Sequence, residues 1–167
     1  MSLARAVHLV RRFLRALTAH VDPAERQVIA DQLTPAQQQL FWVMMVQDQR
    51  HSLDVFYALQ RRGCQDQDIL LAALLHDVGK GRVRLWQRVV FVLLHAGPPG
   101  LLRRLAQPNG AGWRQAMASL QDHGRRGAAL AQEAGAPPAA VELIRSHQRI
   151  DGSDRRAALL RTAEESS

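Results

Sequence analysis

The run Ile69-Leu-Leu-Ala-Ala-Leu-Leu75 constrains this chain most, because it is apolar on every side and is followed at once by His76-Asp77. A helix without a polar face belongs in the middle of a domain. Asp66, just upstream, has the side chain of an N-cap. Gly79, just downstream, is the residue type that best takes the left-handed position ending a helix. A carboxylate in such surroundings is costly unless something pairs with it. Asp77 is therefore either exposed at the helix end or turned toward a cation. The preceding helix carries no lysine or arginine, which makes a metal ion a candidate partner.

The remaining segments read as helices around that centre. Leu3, Val7, Val10, Leu14 and Leu17 recur at spacings of four and three, so residues 3 to about 20 predict an amphipathic helix packed on the main domain or lying on a membrane surface. Asp22-Pro-Ala-Glu25 and Thr34-Pro-Ala-Gln37 are two capping boxes with proline at the first helical position. The first opens a short helix to about Leu33. The second opens a long helix to about Arg62, on which Leu40, Met44, Gln47, His51, Val55 and Ala58 form one inward stripe. Further short helices follow around Val83–Leu94, Leu101–Leu105 and Trp113–Leu120. His123, Gly127, Leu130 and Ala134 share a face of the next, where Gly127 permits close approach of another helix. His147 ends the helix begun by Pro137-Pro138, and Asp151-Gly-Ser-Asp154 turns into a last helix reaching about Ala163. The expected fold is all-α, with residues 1–34 packing on a main domain of residues 35–167.

Charge is unevenly distributed. The chain carries +7, and between Val78 and Gln121 there is no Asp or Glu. That window holds Lys80, Arg82, Arg84, Arg88, Arg103, Arg104 and Arg114, while the remaining 15 basic and 15 acidic residues balance. Residues 81–121 thus form a basic and apolar insertion. It reads as helices packed across the domain, with a lipid-facing hairpin as the alternative. An anionic partner is expected: a phosphate, an acidic membrane surface reached through residues 81–106 or, less favoured, nucleic acid. The single cysteine, Cys64, excludes a disulfide framework and a multi-cysteine zinc site. No run approaches the roughly 18 apolar residues that span a bilayer, and the arginines of the first 20 residues deny a signal-peptide core. The expectation is a cytoplasmic protein, peripheral to a membrane if attached to one.

His51, His76, His123 and His147 fall on apolar faces or helix ends, and Asp77 adds a carboxylate. Imidazole and carboxylate suit zinc, iron or manganese better than calcium, and separate helices meeting in a core are the usual layout of a bundle metal site. In order and helical setting, His51, then His76-Asp77-Val-Gly79-Lys80, then His123 with Gly127, then His147 resemble the HD-domain superfamily of metal-dependent phosphohydrolases. The resemblance covers roughly residues 35–165.

It implies that His51, His76 and Asp77 ligate a metal, with Asp77 able to bridge two ions. It implies that His123 and His147 hold a second ion or the substrate phosphate. Asp77 and Lys80 would then be catalytic, with Lys80, Arg125 and Arg126 reaching phosphoryl oxygens. One or two divalent ions (Mn, Fe, Zn, Ni or Mg) and a phosphorylated small-molecule substrate follow from it. Two positions depart from the family pattern. Glu164 stands where an aspartate is usual on the last helix, with Asp154 or Asp151 as substitutes. Gln148 follows His147 where two-metal members often have histidine. There is no Gly-Tyr-Pro motif. A phosphohydrolase is the primary expectation, and a catalytically impaired binding or regulatory module the alternative.

Overall fold

The computed structural model describes residues 18–95, 97, 100–110, 112–147 and 154–167. The expected helix over residues 3 to 20 lies almost wholly outside them, as do Gln148 and Asp151. The described residues form only helices and connecting turns. They are α1 (Pro23–Gln32), α2 (Pro35–Val43), α3 (Val46–Arg61), α4 (Gln67–Leu75), a 3-10 turn (Val78–Lys80), α5 (Leu85–His95), α6 (Leu101–Leu105), α7 (Trp113–Gln121), α8 (His123–Glu133), α9 (Pro138–Ser146) and α10 (Arg155–Glu165).

The helix starts are written in local chemistry. Asp22 and Glu25 close a capping box on α1, and Thr34 and Gln37 another on α2. The Asp66 side chain accepts from the backbone N–H groups of Asp68 and Ile69 and opens α4. Arg156 of α10 donates to both Asp66 and Asp68, tying the last helix to that start.

α4 is the buried axis, with Ile69, Leu70, Ala72, Ala73, Leu74 and Leu75 all in the core. It packs against α2, α3, α9 and α10. The main core also takes Ile29, Phe41, Leu53, Phe56, Leu59, Ile144 and Leu160. A second, smaller cluster of Val83, Leu102, Ala116, Met117 and Leu120 lies within the basic insertion, where α5, α6 and α7 pack together. The insertion thus builds its own apolar centre and meets the rest of the domain where α7 packs on α8 and the 3-10 turn and where Arg88 of α5 pairs with Asp48 of α3.

Two expectations are corrected. The helix expected from Thr34 to Arg62 is broken: Met44 and Met45 are extended, and α3 starts again at Val46 with no side-chain cap. Nothing local marks this break. Gln49 stabilises it, donating through Nε2 to the carbonyl oxygens of Trp42 at 3.3 Å and Met44 at 3.0 Å. These would otherwise be orphaned at the end of α2. The break also re-phases the buried stripe of α3, which runs through Asp48, Ser52, Val55 and Leu59. His51 is left at its edge, half-buried.

Gly79 does not take a left-handed conformation; Gly81 does, with φ 66°. Gly79 is required for a different reason. A Cβ there would strike the backbone carbonyl oxygen of His123 and stand 2.5 Å from the Gly127 nitrogen. The 3-10 turn and α8 approach backbone to backbone, and the absence of a side chain at both glycines permits it. This contact sets the distance between Asp77 and His123.

Candidate metal centre

α4 ends by delivering two polar side chains into an apolar interior. His76 is its C-cap and Asp77 the residue before the 3-10 turn, and each is only 1% exposed. His123 opens α8 and His147 closes α9, both buried as well. His51 comes from α3. The ligand atoms of His51, His76 and Asp77 lie within 4.8 Å of one another, and so do those of Asp77, His123 and His147, so Asp77 belongs to both groups.

Three of the histidines are oriented by one device. Nδ1 of His76 lies 2.9 Å from the Ala73 carbonyl oxygen, that of His123 2.7 Å from Leu120, and that of His147 2.7 Å from Ile144. A carbonyl oxygen only accepts, so each Nδ1 carries a proton, and in the neutral ring Nε2 presents a lone pair. The three Nε2 atoms converge. Nε2 of His123 and of His147 are 3.3 Å apart, and Asp77 Oδ1 is 3.5 Å from His76 Nε2 and 3.6 Å from His123 Nε2. Neither His76 Nε2 nor Asp77 Oδ1 has a hydrogen-bond partner. Buried polar atoms are normally satisfied. A cluster of lone pairs facing one another repels unless a cation stands among them.

The electrostatics agree. Burial pushes His123 and His147 down to about 4, which keeps both imidazoles neutral, the state that ligates. Burial would raise the Asp77 carboxyl, but His76, Lys80, His51 and His123 outweigh it and hold it well below the usual carboxylate range. Of these, Lys80 is in direct contact with the carboxylate. Its Nζ donates to Asp77 Oδ2 at 2.5 Å, which leaves Oδ1 turned toward the imidazoles. The residues present therefore fit a divalent ion: neutral nitrogen donors and an ionised oxygen donor, with ligand hydrogens tied to backbone carbonyls.

Asp48 adds a further buried charge beside the centre. Asp48, 3% exposed on α3, accepts from the two terminal guanidinium nitrogens of Arg88, Nη1 at 2.7 Å and Nη2 at 2.5 Å, and its Oδ1 is 3.8 Å from Lys80 Nζ. Burial opposes the Arg88 charge, but the hydrogen bonds and charge of Asp48 outweigh it and raise its pKa. Asp77, Lys80, Asp48 and Arg88 form an alternating chain of charge from the centre to the insertion. The signal available was the spacing: Asp48 precedes His51 by three residues on one helix, so the two project to neighbouring positions.

The other expected site residues lie elsewhere. Glu164 is half-buried on α10 and belongs to neither ligand group. Asp154 is exposed and caps α10 by accepting from Arg156 N–H. Arg125 is exposed and paired with Asp122, and Arg126 donates to Ser119. Among the described residues no helix is long and apolar enough to cross a membrane.

The HD-domain family model matches residues 49–165, from within α3 to the end of α10. No curated protein and no solved structure matches the chain.

Proposed function

The chain belongs to the HD-domain family, a superfamily of metal-dependent phosphohydrolases, and from that premise we propose that it hydrolyses a phosphoester of a nucleotide or related small phosphate. The observation that carries this reading is the facing pair of lone-pair nitrogens on His123 and His147, beside an ionised Asp77. His51, His76 and Asp77, and Asp77 with His123 and His147, would hold one or two divalent ions, which when bound would supply Lewis acidity, lowering the pKa of water and drawing charge from phosphoryl oxygens.

The chain's own residues do the rest. The backbone carbonyls of Ala73, Leu120 and Ile144 fix three imidazole tautomers in advance, so no reorganisation is needed on binding. Asp77 Oδ1, unprotonated, is placed to orient a water molecule or accept its proton. Lys80, at the rim of the buried cluster, donates to Asp77 and has further N–H groups for a phosphoryl oxygen. Asp48, itself held by Arg88, faces Lys80 Nζ from the far side at 3.8 Å.

The test is metal content of the purified chain, followed by phosphomonoester and phosphodiester assays with manganese, iron, nickel, zinc or magnesium. Bound metal, and turnover lost in Asp77→Ala, supports the hydrolase. The second reading, a binding module without turnover, is favoured by the position of Glu164 outside both ligand groups. It is supported instead by metal-free protein whose stability Asp77→Ala leaves unchanged.

A further inference from the structure

Helix α5 is apolar on two sides. Its inner side, with Val90, Phe91 and Leu94, packs on the small core of the insertion. Its outer side exposes four large apolar residues: Trp86 (51%), Val89 (45%), Val92 (39%) and Leu93 (64%). Trp86, Val89 and Leu93 follow a three-then-four spacing, and Val92 lies one turn from Val89, so the four make a continuous ridge along the helix. A ridge of this kind on a soluble surface marks an interaction site.

The surroundings are cationic. Arg82 and Arg84, which lead into α5, and Arg103 and Arg104, on the neighbouring α6, are all exposed. No acidic residue occurs between Val78 and Gln121 to offset them. We propose that the outer face of α5, with this arginine rim, docks on an anionic lipid bilayer.

The chemistry selects that occupant. A lipid interface accepts a convex apolar ridge without a complementary pocket, and anionic headgroups answer the arginines. The indole of Trp86 suits the boundary between headgroup and acyl chain. A helix of 11 residues is too short to span a bilayer and lies along its surface instead. A second copy seated on the same face would bring like-charged rims together, which opposes association. Arg88 joins α5 to Asp48, and so to Lys80, so the docked face and the metal centre belong to one connected body.

The experiment uses the full chain and sedimentation with two kinds of vesicle: phosphatidylcholine alone, and phosphatidylcholine with phosphatidylglycerol in equal parts. Binding is expected to the anionic vesicles only, with a blue shift of tryptophan emission. The double substitution Trp86→Ser/Leu93→Gln removes exposed apolar surface and is expected to lower partitioning about tenfold or more. Arg82→Gln/Arg84→Gln is expected to lower it about tenfold. Circular dichroism of each variant checks that the fold is retained. The assignment is overturned if the wild-type chain ignores anionic vesicles. It is equally overturned if binding persists in Trp86→Ser/Leu93→Gln, through residues 1–17 for example. It is also overturned if that substitution instead abolishes self-association or capture of a protein partner in the absence of lipid.

Discussion

Gly79→Ala separates close backbone packing from helix termination as the role of this glycine. At Gly79 a Cβ meets main-chain atoms only: the His123 carbonyl oxygen, the His123 carbonyl carbon at 2.9 Å and the Gly127 nitrogen at 2.5 Å. No rotamer change relieves such a contact. The 3-10 turn and α8 would have to part by about 1.5 Å to restore ordinary separation. An overpacked core site costs about 1–3 kcal/mol. With main chain on both sides and no collapse available, the upper end, about 3 kcal/mol, applies. For a chain of this size that lowers Tm by about 6–12 °C. Separation would also lengthen the 3.6 Å approach of His123 Nε2 to Asp77 Oδ1, so metal affinity should fall in parallel. Gly127→Ala is the internal comparison. Its Cβ would meet the Gly79 nitrogen at 3.3 Å, Ile144 Cγ2 at 3.3 Å and Val78 Cγ1 at 3.4 Å, two of which are side-chain atoms able to shift. The gain in helix propensity, about 1 kcal/mol, offsets much of that crowding. Urea unfolding of both variants with and without manganese measures the difference. Gly79→Ala within about 1 kcal/mol of wild type would refute the reasoning.

Other perturbations test separate links. Asp48→Ala strands the part-buried Arg88 charge and should destabilise by about 3 kcal/mol, whereas Asp48→Leu/Arg88→Met should be much milder; thermal unfolding of both against wild type decides it. His123 and His147, depressed to about 4, bind fewer protons folded than unfolded between about pH 4 and 6.5. Stability of the metal-free chain is therefore full above 6.5 and falls as pH drops toward 4, by up to about 3 kcal/mol per histidine. Asp77, depressed as well, contributes stability above its ordinary range and loses it only at more acidic pH; urea midpoints across that range would show a flat profile if the histidines are not buried neutral. Asp66→Ala removes the cap of α4 and one partner of Arg156, and is expected to lower stability by about 1 kcal/mol in chemical unfolding.

Much of the architecture is determined within a few residues of sequence. Asp22 with Glu25, Thr34 with Gln37, and Asp66 each satisfy orphaned backbone donors one turn away, so the starts of α1, α2 and α4 are local facts. The apolar run before His76 forces α4 into the centre, and Gly127 announces a close crossing. Only the tertiary structure decides the rest, because the groups concerned are far apart along the chain and meet through packing. The break at Met44–Met45 carries no local breaker and depends on Gln49 reaching back to the end of α2. The contact that demands Gly79 comes from α8, more than forty residues on. Asp48 finds Arg88, forty residues away, only when the insertion folds back onto α3. Glu164 stands in sequence where the family's last-helix aspartate is expected, yet the course of α10 keeps it outside both ligand groups. Local propensity acts over a turn of helix; which side chains share a cavity depends on how whole helices cross.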